Sequence, residues 1–343
     1  MKFSTITAVA LALAANIMVH LAEGRSTCPV DAFNPAAQLR YYGGFNIGFH
    51  NVRRNPFLLN WSNVLQWQPD NTCKLPHVWQ QEFQALSAAV APLGLPHVVF
   101  KLFSTSDCDG LLRAIPAAIA TGTRIWAKLW TGHGARYQQE KDALRRVLHA
   151  FPNAPSWLAG VSVGSEHLWR GEMSAPEIRD QICDIKQLVQ VEFGYTGIPV
   201  GCADNNIGLD PPFNHQVMFA ADHVNLNVYP FWDKVHINDA LPELRRTYAV
   251  FRDILRDDPD KIIALGEHGW PTVGAHGEAV GDVPSAEKYW RDVGCWLHRE
   301  GIPWLWFEGI DEPNKPNMNG ASGPEQNWGL LRVGYERKFE MIC

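Results

Sequence analysis

Two glutamates stand where short apolar runs end. The run Leu158–Val163 passes into Gly164-Ser165-Glu166, and the run Ile262–Gly266 passes directly into Glu267. A carboxylate at the C-terminal end of a buried parallel strand is either a solvated loop charge or a group aimed into a ligand cleft. Both sit in aromatic surroundings here: Glu166 precedes His167, Leu168 and Trp169, and Glu267 precedes His268, Gly269, Trp270 and Pro271. Such a pair suits attack on an acetal. Burial keeps one carboxyl protonated, ready to give its proton to a leaving oxygen, while the other stays ionised to attack or stabilise a sugar cation. Aromatic faces can hold the flat apolar side of a sugar ring. Of the 14 tryptophans, Trp130, Trp169, Trp232, Trp270, Trp306 and Trp328 are candidates for that use, with core packing the competing use of each.

Positioning the pair falls to eight apolar runs: Tyr42–Phe49, His97–Phe103, Arg124–Trp130, Leu158–Val163, Ile198–Cys202, His223–Tyr229, Ile262–Gly266 and Pro303–Phe307. Helical periodicity separates them. Trp79, Phe83, Leu86, Val90 and Leu93 form one apolar stripe, Ile178, Ile182, Ile185 and Val189 another, and Tyr289, Val293 and Trp296 a third. Ser174-Ala-Pro-Glu177 reads as a capping box, and Gly122 and Gly301 stand where glycines end helices. Strands and helices in strict alternation predict an α/β fold with a parallel sheet, and eight units in this length predict a closed (β/α)8 TIM barrel. The glutamates then close the fourth and seventh strands, on facing sides of the barrel. The long connections 51–76, 204–216, 272–284 and 311–327 follow strands, where barrels build their active face.

Five blocks in order make the chain resemble glycoside hydrolase family 17, in particular its secreted β-1,3-glucanases of the fungal and oomycete type. They are Val163-Gly164-Ser165-Glu166, Asn227-Val228-Tyr229-Pro230-Phe231-Trp232, Gly266-Glu267-His268-Gly269-Trp270-Pro271, the stretch from Trp306 through Glu308, Asp311 and Glu312 to Lys315, and Glu325-Gln326-Asn327-Trp328-Gly329-Leu330. The resemblance implies retaining hydrolysis of β-1,3-glucan, with Glu166 as general acid/base and Glu267 as nucleophile. It implies that Tyr229 hydrogen-bonds the nucleophile, that Glu312 and Lys315 lie near the site, and that Glu325 belongs to the terminal block. Trp232 and Trp270 join Ser165, Tyr229, Glu312, Lys315 and Glu325 as expected substrate contacts. Glu308 and Asp311 read equally well as structural. One departure stands out: the family pattern has Asn before the acid/base, to bind the sugar 2-hydroxyl, and this chain has Ser165. As a missing contact, it predicts that Ser165→Asn gains activity.

Other chemistries compete. A glucanosyl transfer, in which a sugar replaces water as acceptor, uses the same residues. A glucan-binding wall protein without turnover would not need both carboxylates. Gly160-Val161-Ser162-Val163-Gly164 fits the G-x-S-x-G nucleophile elbow of esterases, with His223, His268 and His298 downstream. An elbow serine must sit on a strand-to-helix turn, whereas Ser162 lies inside an alternating strand. His50, His133, His167 and His268 lack zinc-ligand spacing, and two-carboxylate chemistry requires neither metal nor cofactor.

Thirty Lys+Arg against 36 Asp+Glu give a net charge of −6, which argues against a nucleic-acid partner. Residues 1–24 read as a secretory signal: Lys2, an apolar run, then Ala22-Glu23-Gly24. Residues 25–343 are then expected to form a single catalytic domain, secreted to the medium or wall, monomeric and without a membrane anchor. The seven cysteines, scattered through that part, predict up to three disulfides and one free thiol. Asn60-Trp61-Ser62 is a glycosylation sequon.

Overall fold

The computed structural model describes residues 28–29, 31–48, 50–54, 67–313, 315 and 323–343. The leader segment 1–24 and the sequon Asn60-Trp61-Ser62 lie outside the described residues. Eight parallel strands close into a barrel, paired in sequence order around the ring and sealed by β1 against β8. They are β1 (Gly43–Ile47), β2 (Val98–Leu102), β3 (Arg124–Leu129), β4 (Leu158–Val163), β5 (Val200–Asn205), β6 (His223–Asn227), β7 (Ile262–His268) and β8 (Trp304–Trp306). The expected (β/α)8 barrel is present. The fifth strand is shifted from the expected Ile198–Cys202: Pro199 has no N–H to give, so pairing starts at Val200, and it continues through Asp204 and Asn205 against Leu226 and Asn227.

Helices α1 (Pro76–Val90), α2 (Gly110–Thr121), α3 (Ala135–Ala150), α4 (Ala175–Lys186), α5 (His215–Ala220), α6 (Ala240–Ile254) and α7 (Val283–Tyr289) follow the first seven strands. On α1, Trp79, Phe83, Leu86 and Val90 form one buried stripe, and the Phe83 ring stacks on Phe100 of β2 at 3.9 Å. Ser174 and Glu177 form the expected capping box on α4. Gly122 ends α2 and Gly301 ends a further short helix, Cys295–Glu300, both in the left-handed conformation, at φ 67° and 65°. The main core lies between barrel and helices. A second, smaller cluster holds Tyr42, Val99, Trp126, Ala159, Ala264 and Leu305. The Tyr42 hydroxyl meets His223 Nε2 at 3.1 Å, joining residues from opposite sides of the barrel, so this cluster fills the barrel interior.

Two connections expected as loops carry strands of their own: His50–Arg54 pairs with Trp67–Cys73, and Ala275–His276 with Ala279–Val280. Disulfides join Cys28 to Cys183, Cys73 to Cys108 and Cys295 to Cys343, leaving Cys202 free and buried. Among the described residues no helix is long and apolar enough to cross a membrane.

Candidate active site

Glu267 reaches the barrel interior through an irregularity in β7. On one side Leu226 faces Leu265 and Asn227 faces Glu267; on the other Trp304 faces Leu265 and Trp306 faces His268. Both neighbours therefore see one extra residue in β7. Such a bulge re-aims the side chains beyond it, and here it puts Glu267 on the same inner face as Ala264. Gly266 makes room: a Cβ there would lie 2.5 Å from Cβ of Asn225. The Gly266 carbonyl accepts from Lys101 Nζ at 2.8 Å.

The Glu267 carboxylate receives three donors. Lys101 and Lys128 give ammonium hydrogens to Oε1 at 2.9 and 3.1 Å, and the Tyr229 hydroxyl donates to Oε2 at 2.9 Å. Burial alone would push this carboxyl up, but the two ammoniums and the hydroxyl outweigh it and hold Glu267 well below the usual carboxylate range. Lys101 is itself pushed down to about 8 by burial, with Lys128 adding to the depression and Glu267 opposing it.

Glu166 stands in the opposite setting. Burial first, then the Glu267 charge, raise its carboxyl above the ordinary value. Its Oε1 accepts from Asn227 Nδ2 at 2.9 Å, and the Arg170 guanidinium lies 3.7 Å from Oε2. The residue adopts a left-handed backbone, φ 57°, unusual for a side chain of this size. Both glutamates border a cleft of about 410 Å³, walled also by Trp169, Asn205, Asn206, Ile207, Asn227, Tyr229, Trp232, Asp233, Phe307 and Glu325.

Of the expected contacts, Tyr229, Trp232 and Glu325 line this cleft. Lys315 lies over the Phe307 ring, 4.3 Å from its centroid, and bridges Glu308 at 2.5 Å and Glu312 at 3.2 Å. The buried Glu308, which read equally well as structural, is thus the nearer partner of Lys315. Asp311 accepts from Lys338 and from the Gly329 N–H, a structural role. Two expectations need correcting. Trp270 is fully buried, packs on Phe231 and Tyr289 and donates its N–H to the Val280 carbonyl, so it is core. Ser165 is only 6% exposed and does not border the cleft; its carbonyl accepts from His167 and Arg170.

Trp306 and Trp328 are likewise buried, whereas Trp130 and Trp169 are exposed. Ser162 lies inside β4, its hydroxyl receiving Trp126 Nε1 at 2.6 Å and Asn225 Nδ2 at 2.7 Å, a position no esterase nucleophile could use. His167 is held by the Thr131 carbonyl, and His268 is buried among Tyr289, Trp304 and Trp306. Lys101 and Lys128 were missed at the sequence level. Their signal was a lysine flanked by apolar residues in the middle of each of two strand runs, since fully buried lysines are rare unless paired.

Comparison with known proteins places the chain in a family. Residues 63–329 match the BtgE/BtgC glycoside hydrolase domain. The chain is 30% identical to the glucan 1,3-beta-glucosidase of Saccharomyces cerevisiae over 289 residues, 80% of this chain and 88% of that relative. It is 29% identical to a glucan 1,3-beta-glucosidase of Candida albicans, covering 80% and 89% of the two chains. In fold it is similar to an active-site mutant of Rhizomucor miehei beta-1,3-glucanosyltransferase in complex with laminaritriose, at TM-score 0.68 and 24% identity over 88% of this chain and 97% of that one. A barrel with two glutamates in one cleft and a family match across most of its length make this chain a member of the BtgE/BtgC glycoside hydrolases, the β-1,3-glucanase type of glycoside hydrolase family 17.

Proposed function

We propose that this glycosidase cleaves β-1,3-glucan by double displacement, with Glu267 as nucleophile and Glu166 as general acid/base. The observation that carries the assignment is the opposite electrostatic setting of two carboxyls in one cleft. Two ammoniums and a phenol keep Glu267 ionised, whereas burial and the neighbouring negative charge favour the proton on Glu166. Attack by Glu267 on the anomeric carbon breaks the glycosidic bond as Glu166 hands its proton to the departing oxygen. Glu166, now a carboxylate, takes a proton from the incoming water or sugar hydroxyl, which displaces Glu267 and releases a product of retained configuration.

The names of the relatives support β-1,3-glucan as substrate. Tyr229, Trp232 and Glu325 are the proposed sugar contacts in the cleft wall, with Lys315 and Glu312 acting behind Phe307. One chain supplies both carboxylates and the cleft wall, which supports action as a monomer. The apolar leader over residues 1–24 and three disulfides support secretion to the medium or wall, with residues 25–343 as one catalytic domain.

Transfer to a second sugar is favoured by a specific feature. Trp169, 51% exposed, and the exposed Ile207 present apolar surface in the cleft beside Glu166, on the side where the leaving group departs and an acceptor enters. Mass analysis of products from a defined laminari-oligosaccharide tests the whole reading. Shorter oligomers mean hydrolysis, longer ones transfer, and no reaction overturns it.

A further inference from the structure

Glu166 rises from a tight turn that is fastened to the neighbouring strand at two points: the Glu166 N–H donates to the Ala203 carbonyl at 3.1 Å, and one buried side chain, Asp204 near the end of β5, holds the residues that follow. Asp204 Oδ2 accepts the N–H of Leu168 at 2.9 Å, and its Oδ1 accepts the N–H of Asn205 at 2.9 Å. The residue is 2% exposed, and among the described residues no lysine or arginine forms a salt bridge with it. A buried carboxylate balanced by peptide N–H groups alone is expensive to keep. Burial accordingly pushes its carboxyl up to about 6, against the N–H bonds that favour the ionised form. Gly208 completes the fit. A Cβ at that position would lie 2.4 Å from Asp204 Oδ1 and 2.8 Å from the Trp169 nitrogen, so only glycine lets the carboxylate and the turn approach.

We propose that Asp204 is a positioning residue for the general acid, clamping the 166–170 turn so that the Glu166 carboxyl meets the leaving oxygen. The inference rests on Glu166 being the acid/base. Glu166 needs such support because its left-handed backbone is not one a glutamate prefers, and the turn could relax by moving the carboxyl away. An amide cannot replace Asp204. The carboxylate offers an accepting oxygen to each of two N–H groups, whereas asparagine has one and would set its own NH2 against the other.

The test uses the full-length protein and two substrates, laminarin and a laminaribioside carrying a 2,4-dinitrophenolate leaving group that departs without a proton. For Asp204→Asn, kcat/KM on laminarin should fall about 10- to 100-fold, the scale of a displaced general acid. On the activated substrate it should change by less than about threefold, because that step needs no proton donor. Gly208→Ala, which crowds the same carboxylate without altering it, should show the same split and stands in if Asp204→Asn does not fold. Glu166→Ala serves as the reference. If it shows no split, the acid/base assignment fails and the clamp with it. If it shows the split while Asp204→Asn or Gly208→Ala loses both substrates equally, or neither, the clamp is overturned and the assignment stands.

Discussion

At the scale of single residues, what divides the labour of the two glutamates is which charges stand beside each. Lys101 and Lys128 stabilise the ionised form of Glu267, so removing either ammonium raises the carboxyl's pKa. The acid limb of the kcat/KM profile then moves to higher pH. A hydrogen bond to a charged group is worth about 1.5–3 kcal/mol, so Lys128→Met should move that limb by about one to two pH units, measured on an activated glycoside. An unmoved limb would mean that Lys128 does not tune the nucleophile. Position 165 reads differently from the structure than from the sequence. The resemblance alone makes Ser165→Asn a gain, but Ser165 is packed beneath the turn, while Asn205 and Asn227 already bring carboxamides to the cleft. We expect no gain in kcat/KM on laminari-oligosaccharides, and a rise of about tenfold or more would restore the missing-contact view.

At the scale of elements, one extra residue in β7 decides where Glu267 points. Gly266→Ala places a methyl 2.5 Å from Cβ of Asn225 in a packed interior. Overpacking of this kind typically costs about 1–3 kcal/mol, and here it should also disturb the bulge. The variant should melt at lower temperature and lose activity beyond what the melting shift explains; full activity would show that the bulge does not aim the nucleophile. The barrel was legible in sequence because buried parallel strands are continuous apolar runs, and seven of the eight fell close to their expected bounds. The bulge was not legible, since the apolar pattern of Ile262–Leu265 looks the same whether or not β7 slips by one afterwards. Hidden too was the meeting of Lys101 and Lys128 on one carboxylate, because that contact joins residues over a hundred positions apart. Trp270 misled for a related reason: near the nucleophile in sequence, it stands past the end of β7, where its ring packs on Phe231 and Tyr289 instead of facing the cleft.

At the scale of the whole molecule, the disulfides tie distant parts of the ring together. Cys28–Cys183 spans 155 residues and fixes the segment ahead of β1 to the end of α4, away from the cleft. In the chain-entropy account, closing a loop that long stabilises by at most about 5 kcal/mol. Replacing both cysteines with serine should lower Tm by several degrees while leaving kcat/KM on laminarin within about twofold at room temperature. A large loss of activity without a melting shift would tie this bridge to the site instead. The two carboxylates give the barrel its chemistry, and the claim that matters most is that Glu267 bonds covalently to the sugar. Incubation with a 2-deoxy-2-fluoro laminaribiosyl donor carrying a good leaving group, followed by peptide mass mapping, tests it directly. A single glycosyl adduct on Glu267, lost in Glu267→Ala, is the expected result. An adduct on Glu166 or Glu308, or no adduct with first-formed product in the α configuration, would contradict it.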